Sequence, residues 1–110
     1  MSTPRTASGE IACVLPLAGA LAAHKTTALL KSAQLEVIRI VLLTGKVLPD
    51  HAAPGEITVQ CLEGCIEFTT PQAVHLMRAG DLIHLRGGER HALKALEDSS
   101  ALLTMCLQGA

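Results

Sequence analysis

Short apolar segments rich in β-branched residues follow one another along most of this chain, and turn-forming dipeptides separate them. Segments of this length predict β-strands, and many of them at near-regular spacing predict a sandwich or a barrel. No long helical period and no internal repeat competes with this interpretation. The predicted strands cover residues 26–32, 34–44, 56–62, 65–70, 73–77, 81–85, 91–96 and 101–107.

The size of the chain, 110 residues, predicts one domain at 26–110 preceded by an N-terminal arm at 1–25. Hydrophobic residues make up 49% of the chain, but there is one Phe and no Trp or Tyr, so Leu, Ile, Val and Ala must build the core. The formal charge of −1 and the lack of aromatic stacking residues argue against nucleic acid as a partner.

The most apolar part of the arm, IACVLPLAGALAA at 11–23, is interrupted by Pro16 and Gly19. It is too short to span a bilayer, and Pro16 breaks the continuous apolar run that a secretory signal needs. We therefore expect no membrane partner, a cytoplasmic location, and one helical turn near Leu17–Ala23.

The clearest local pattern is a predicted β-hairpin, in which 56–62 and 65–70 flank a Glu63-Gly64 turn. In such a hairpin Cys61 and Cys65 point to opposite faces, so they cannot form a disulfide. With Cys13 and Cys106 they are expected to be reduced thiols of a cytosolic protein. Alternation predicts a wholly apolar, core-facing set: Ile57, Val59, Cys61, Ile66 and Phe68.

Arg39 is the charged residue inside the apolar segment 34–44. Alternation places it on one face with Leu35, Val37, Val41 and Leu43. Two interpretations stay open: the side chain reaches a cavity, where it could bind an anionic ligand, or it extends to the rim of the sheet.

Two stretches, 45–64 and 80–95, resemble the two motifs of the cupin superfamily. The matching positions are Gly45, His51, Gly64, Gly80, Gly88 and His91. The family's second histidine, its glutamate, its proline and its asparagine are replaced by Ala53, Ile57, Arg86 and Ala95. The resemblance covers roughly residues 34–107 and implies an all-β, cupin-type double-stranded β-helix, that is, a jelly-roll barrel.

In cupins with complete motifs, three histidines and the glutamate hold a divalent metal in the barrel mouth. This chain keeps His51 and His91, and two imidazoles alone retain a metal poorly. Glu56 could be a third ligand, although on a regular strand it points away from the core-facing set. His84 could be another, since its short strand leaves its direction open. We expect no cofactor, with a divalent metal (Zn, Fe, Ni or Mn) as the alternative.

The replacements at Ala53 and Ile57 make the predicted cavity less charged and more apolar, and apolar cavities with a few polar groups are the usual small-molecule sites. The predicted pocket is lined by His51, Ala53, Ile57, Val59, His84, His91 and Arg39. Cupins commonly pair as dimers, so a homodimer is expected, with apolar contacts from Leu62, Leu82 and Leu96.

Three functions fit this sequence. The chain could be a small bacterial cupin with a degenerate metal site that binds a small molecule in its barrel. It could instead be a metal-dependent oxygenase or isomerase that uses His51, His91 and a third ligand. It could also be a non-catalytic accessory or interaction protein, because a fold does not set a function.

Overall fold

The computed structural model describes residues 5–107, and almost all of its regular structure is β-strand. A 3-10 helix at Ala18–Ala23 is the helical turn predicted in the arm. The strands are β1 (Thr27–Lys31), β2 (Leu35–Leu42), β3 (Val47–His51), β4 (Ile57–Glu63), β5 (Cys65–Thr69), β6 (Val74–Arg78), β7 (Leu82–Leu85), β8 (His91–Ala95) and β9 (Ser99–Cys106).

The strands form two antiparallel sheets. Sheet A has the order β1-β2-β9-β4-β7, and sheet B has the order β3-β8-β5-β6. The consecutive strands β2 and β3, β4 and β5, β6 and β7, and β8 and β9 therefore lie in opposite sheets, and a short turn joins each pair. Each strand of sheet B thus faces its chain neighbour in sheet A. This arrangement is a jelly roll, and it confirms the predicted fold class.

One end of this barrel, which we call the mouth, is where β2, β4 and β8 begin and where β3 and β9 end. At the mouth Met105 lies opposite both Glu36 of β2 and Ile57 of β4 in the ladders of sheet A. In sheet B, His51 lies opposite His91. The polar groups of interest in this protein are at this end.

Apolar side chains from both sheets fill the interior. Ile57, Val59, Cys61, Ile66 and Phe68 are each at most 3% exposed, so the set predicted to face the core does so. Partly buried residues close the cluster around them, among them Ile38, Leu48, Ala53, Leu103 and Met105.

The predicted hairpin at Glu63-Gly64 is wrong, because β4 and β5 belong to different sheets. Gly64 has a φ of +86°, and a Cβ there would overlap the carbonyl oxygen of Asp98. The chain therefore turns a tight corner between sheets instead of pairing with itself. The apolar set still faces inward because its members approach each other across the interior. Cys61 and Cys65 are both buried, and both thiols are free.

The predicted face of Arg39 is right, because it lies on one side of β2 with Val37 and Val41, but its side chain goes neither to a cavity nor to the rim. The core-facing side of β2 carries Ile38, Ile40 and Leu42, whereas Arg39 lies on the outer side of sheet A. It is only 7% exposed because the arm covers it, and its guanidinium donates hydrogen bonds to the carbonyls of Leu15 (2.8 Å) and Cys13 (3.1 Å). Arg39 thus holds the arm on the barrel.

Glu63 is the second residue that holds the arm. Its carboxylate accepts hydrogen bonds from the backbone N–H groups of Leu17 and Ala18, both at 2.9 Å, and from the Ser100 hydroxyl.

Within residues 5–107, no helix is long and apolar enough to cross a membrane.

Candidate ligand site at the barrel mouth

His51 owes its direction to a β-bulge. Leu48 pairs with Leu93 and His51 pairs with His91, so three steps along β3 match two steps along β8. Without this irregularity, His51 and Leu48 would point to opposite faces. The bulge contains Pro49 and Asp50, which the sequence indicated only as part of a loop, and it turns the His51 ring toward His91.

The two histidine rings are in contact. The ring centroids of His51 and His91 are 4.3 Å apart, with the planes tilted by 55°. On its other side the His91 ring stacks on Phe68, with centroids 5.6 Å apart and the rings nearly parallel. His91 is 4% exposed and His51 is exposed, so the pair leads from the core to the solvent.

Backbone carbonyls fix the tautomer of both rings. The Nδ1–H of His51 donates to the carbonyl of Pro49 (2.8 Å), and the Nδ1–H of His91 donates to that of Glu89 (3.1 Å). Each ring therefore carries a lone pair on Nε2 when it is neutral. Metal-ligating histidines are oriented by hydrogen bonds of this kind, and the same arrangement presents a hydrogen-bond acceptor to a small molecule.

His91 is held in its neutral form. Burial lowers the pKa of His91 below its ordinary value, and the neighbouring His51 ring acts in the same direction. The hydrogen bond to the Glu89 carbonyl and the Asp50 carboxylate oppose this effect without cancelling it. At neutral pH the Nε2 of His91 is thus an acceptor.

His84 and Glu56, the two candidate third ligands, lie outside the barrel. On β7 the inward residues are Ile83 and Leu85, so His84 points outward beside Thr58 of β4. Its Nε2 is 2.7 Å from a Glu56 carboxylate oxygen, and both side chains are largely exposed. The interpretation in which His84 enters the cavity is therefore wrong, and Glu56 is a solvated residue at the strand end.

The remaining predicted pocket residues belong to the wall and the core. Ile57 and Val59 are packed within the core cluster, and Ala53 is partly buried against it. Of the seven predicted lining residues, the structure brings His51 and His91 into contact at the mouth, and it places Arg39 and His84 on the outer side of sheet A.

A metal of the kind that many cupins bind does not fit these residues. Within residues 5–107, no cluster of three or more His, Cys, Asp and Glu side chains could hold an ion. His51 and His91 have suitably oriented Nε2 atoms, but a retained metal usually needs at least three protein ligands. The positions that would add them are the aliphatic residues Ala53 and Ile57.

Sequence reasoning missed one polar residue at the mouth, Glu36. It shares the inner face of β2 with Ile38, Ile40 and Leu42, and its ladder partner Met105 packs against the core. The signal was present in the sequence, because Ile38, Ile40 and Leu42 form an apolar set with the same parity as Glu36. The other face of the segment is also apolar, so alternation alone could not choose between them.

Solved structures identify this architecture. Over 100% of both chains, with a TM-score of 0.75 and 24% identity, the chain is similar to a conserved protein of unknown function from Streptococcus pyogenes. It is similar to a cupin superfamily protein from Desulfitobacterium hafniense over 76% of each chain, with a TM-score of 0.73 and 14% identity. An RmlC-like cupin from Shewanella frigidimarina matches with a TM-score of 0.72 and 16% identity, over 76% of this chain and 75% of that one.

No protein-family model matches the sequence, and no curated protein matches it. Similarity to solved structures at these identities shows the fold. The chain therefore has the fold of a small, single-barrel cupin, as the motifs at 45–64 and 80–95 predicted. The fold does not assign an activity.

Proposed function

We propose that this protein binds a small molecule at the barrel mouth through His51 and His91, and that it does so without a tightly bound metal. The observation that carries this proposal is the contact between the two rings, whose Nδ1–H groups are both held by backbone carbonyls. Two pre-oriented Nε2 acceptors at the edge of an apolar core are the kind of convergent polar groups that small-molecule sites use.

The residues around the two rings could contact both the polar and the apolar parts of such a ligand. Donor groups of the ligand would bond to the Nε2 atoms of His51 and His91, which Phe68 and the backbone hold in position. The apolar part would lie against Met105, the partly buried residue at the mouth side of sheet A. Since His91 is neutral, the site favours hydrogen-bond donors over anions.

The test is a small-fragment screen followed by the histidine Cε1–H signals in NMR spectra. Fragments that bind are expected to shift the His91 signal and to lose affinity in His91→Gln. His84→Gln is the matched control, because His84 is a histidine on the outer face of the same barrel. Binding that survives His91→Gln, or that is lost equally in His84→Gln, would contradict the proposal.

Metal content is measured on the same samples, after incubation with Zn, Fe, Ni and Mn salts and removal of the excess. We expect no stoichiometric ion in the wild-type protein. An ion that is retained in the wild type and disappears in His91→Gln would instead favour the metal-dependent alternative.

We also propose that the protein is a cytoplasmic homodimer. Leu82, which is 64% exposed, lies opposite Gln60 on the outer side of sheet A, and its burial would favour association. Free thiols at Cys61 and Cys65 fit a reducing compartment. Light scattering coupled to gel filtration tests the dimer, and Leu82→Asp is expected to give a monomer.

A further inference from the structure

We propose that Glu36 forms a second polar wall of the mouth and selects a ligand that carries a cationic amino group. This inference rests on the proposed small-molecule site at His51 and His91, and it names the chemical class that the site takes. It comes from the position of Glu36 on the barrel, which no part of the cupin motifs includes.

The first step is the direction of the side chain. Residues that pair across an antiparallel ladder point to the same face. Glu36 pairs with Met105, which packs against the core, and Glu36 lies two residues before Ile38, which also packs there. Glu36 therefore has an inward direction, and its half-buried side chain is at the last inward position before the mouth.

The second step is what lies opposite. β2 and β3 are joined by a short turn and lie in opposite sheets, so the beginning of β2 and the end of β3 are at the same end of the barrel. Glu36 is near the beginning of β2, and His51 ends β3. Packed sheets are about 10 Å apart. Glu36 and the histidine pair thus lie in opposite sheets at the same end of the barrel.

The third step is the separation of these groups. No three of the described His, Cys, Asp and Glu side chains form a group that could hold an ion, so Glu36 does not complete a metal site with the two imidazoles. A molecule that reaches from one sheet to the other at this end would contact both groups. Met105, which is partly buried at the mouth side of sheet A, offers that molecule an apolar surface.

The fourth step is the chemistry of Glu36, His51 and His91, which can all accept hydrogen bonds. Glu36 offers a carboxylate, and each histidine offers the Nε2 lone pair that remains when Nδ1–H donates to the backbone. Lys31 is the ladder partner of Glu36 on β1, but no ion pair joins them in the described chain. A ligand with an ammonium group, a short hydrocarbon part and a second donor would match Glu36 and the two histidines.

The experiment compares three probes of similar size and different charge: 1,4-diaminobutane, 1,4-butanediol and butyrate. Binding is followed by the His91 Cε1–H signal and by isothermal titration. The diamine is expected to bind most tightly, and Glu36→Gln is expected to weaken it about five- to tenfold, the range for a partly desolvated ion pair. Glu56→Gln is the matched control, because Glu56 is at the same end of the barrel but on its outside.

The outcomes separate this inference from the proposed function. If the diol binds as well as the diamine, or if Glu36→Gln and Glu56→Gln behave alike, the role of Glu36 is refuted while the histidine site stands. If no probe shifts the His91 signal while a fragment from the screen does, the inference about Glu36 fails and the histidine site stands. Lys31→Ala adds a further check: were Glu36 only a cross-strand partner of Lys31, both variants would lose stability equally and neither would change diamine binding.

Discussion

Replacing Glu63 by glutamine is expected to release the N-terminal arm. One carboxylate oxygen of Glu63 accepts the Leu17 N–H and the Ser100 hydroxyl, and the other accepts the Ala18 N–H. A glutamine side chain has one acceptor oxygen, so its NH₂ group must face one of these donors. Hydrogen bonds to a charged group contribute about 1.5–3 kcal/mol each. Losing one of them and weakening the others should cost about 2–3 kcal/mol.

Two measurements check this prediction. The chain has no Trp, so urea unfolding is followed by circular dichroism, which gives the change in the free energy of unfolding. Amide hydrogen exchange at Leu17 and Ala18 reports the arm directly, and their protection should fall in Glu63→Gln. Glu97→Gln, at an exposed position, is the control and should change the free energy by less than about 0.5 kcal/mol.

The same contact predicts a pH dependence. Burial alone would raise the pKa of Glu63, but the hydrogen bonds from Ser100, Leu17 and Ala18 and the charge of Arg39 outweigh burial and lower it. A carboxyl group with a lowered folded-state pKa stabilises the protein above its unfolded pKa, and that contribution is lost as the pH falls through the folded value. In the wild type, the hydrogen-exchange protection of the Leu17 and Ala18 amides should therefore fall under acid conditions. Unchanged exchange in Glu63→Gln at neutral pH would refute the reasoning about the arm.

Two further substitutions test the barrel. Gly64→Ala should lower the free energy of unfolding by at least about 3 kcal/mol, because a left-handed conformation adds about 1–2 kcal/mol and the new Cβ overlaps the turn before β9. Gly45→Ala is the control, since Gly45 has the same φ of +86° and nothing lies near its Cβ. Urea unfolding should show a clear difference between the two variants, and equal losses would contradict a tight corner between the sheets at Gly64. Phe68→Ala should lower the free energy of unfolding by about 3–5 kcal/mol in urea and should shift the NMR signals of the His91 ring, since the stacked ring is removed. Val74→Ala, at an exposed position, is the control. A loss below about 1 kcal/mol in Phe68→Ala would show that Phe68 is not a core residue.

The sequence predicted the core of this fold because its apolar residues alternate cleanly on β4, β5 and β8. It could not predict that β4 and β5 lie in different sheets, since the Glu63-Gly64 pair fits a hairpin turn as well as a corner between sheets. What decides between them is the pairing of β4 with β9, whose partner residues are 37 to 48 positions apart in sequence. Local turn chemistry contains no information about that partner.

The site was predicted only in part, and the reason is similar. His91 opens a strand whose alternation is unambiguous, so its direction could be predicted. Arg39 and Glu36 lie on opposite faces of β2, where both faces carry aliphatic residues. The choice between the faces is made by the arm, which covers Arg39 and leaves the face with Glu36 to the interior. That choice depends on a tertiary contact and not on the periodicity of the strand.

The absence of a third ligand, and not a distortion of the barrel, is the reason that this mouth should hold no metal, and a gain of function can test this. Ile57 is 3% exposed on the inner face of β4, at the level of Met105 and Leu85. Combining Ile57→Glu with Ala53→His places a carboxylate and a third imidazole where complete cupin motifs have them. Without metal, the buried carboxylate should cost several kcal/mol.

With zinc, the variant carrying Ala53→His and Ile57→Glu should be stabilised, because binding to the folded state alone contributes about 2.7 kcal/mol at one hundred times Kd. In thermal unfolding this is a rise of roughly 10 °C, and the wild type should show no comparable rise. Ala53→His combined with Thr58→Glu is the matched control, because Thr58 is the next residue of β4 and points to the outer face. If that control is stabilised as much, or if the designed variant retains no zinc, then the rings of His51 and His91 are not oriented toward a common point in the mouth.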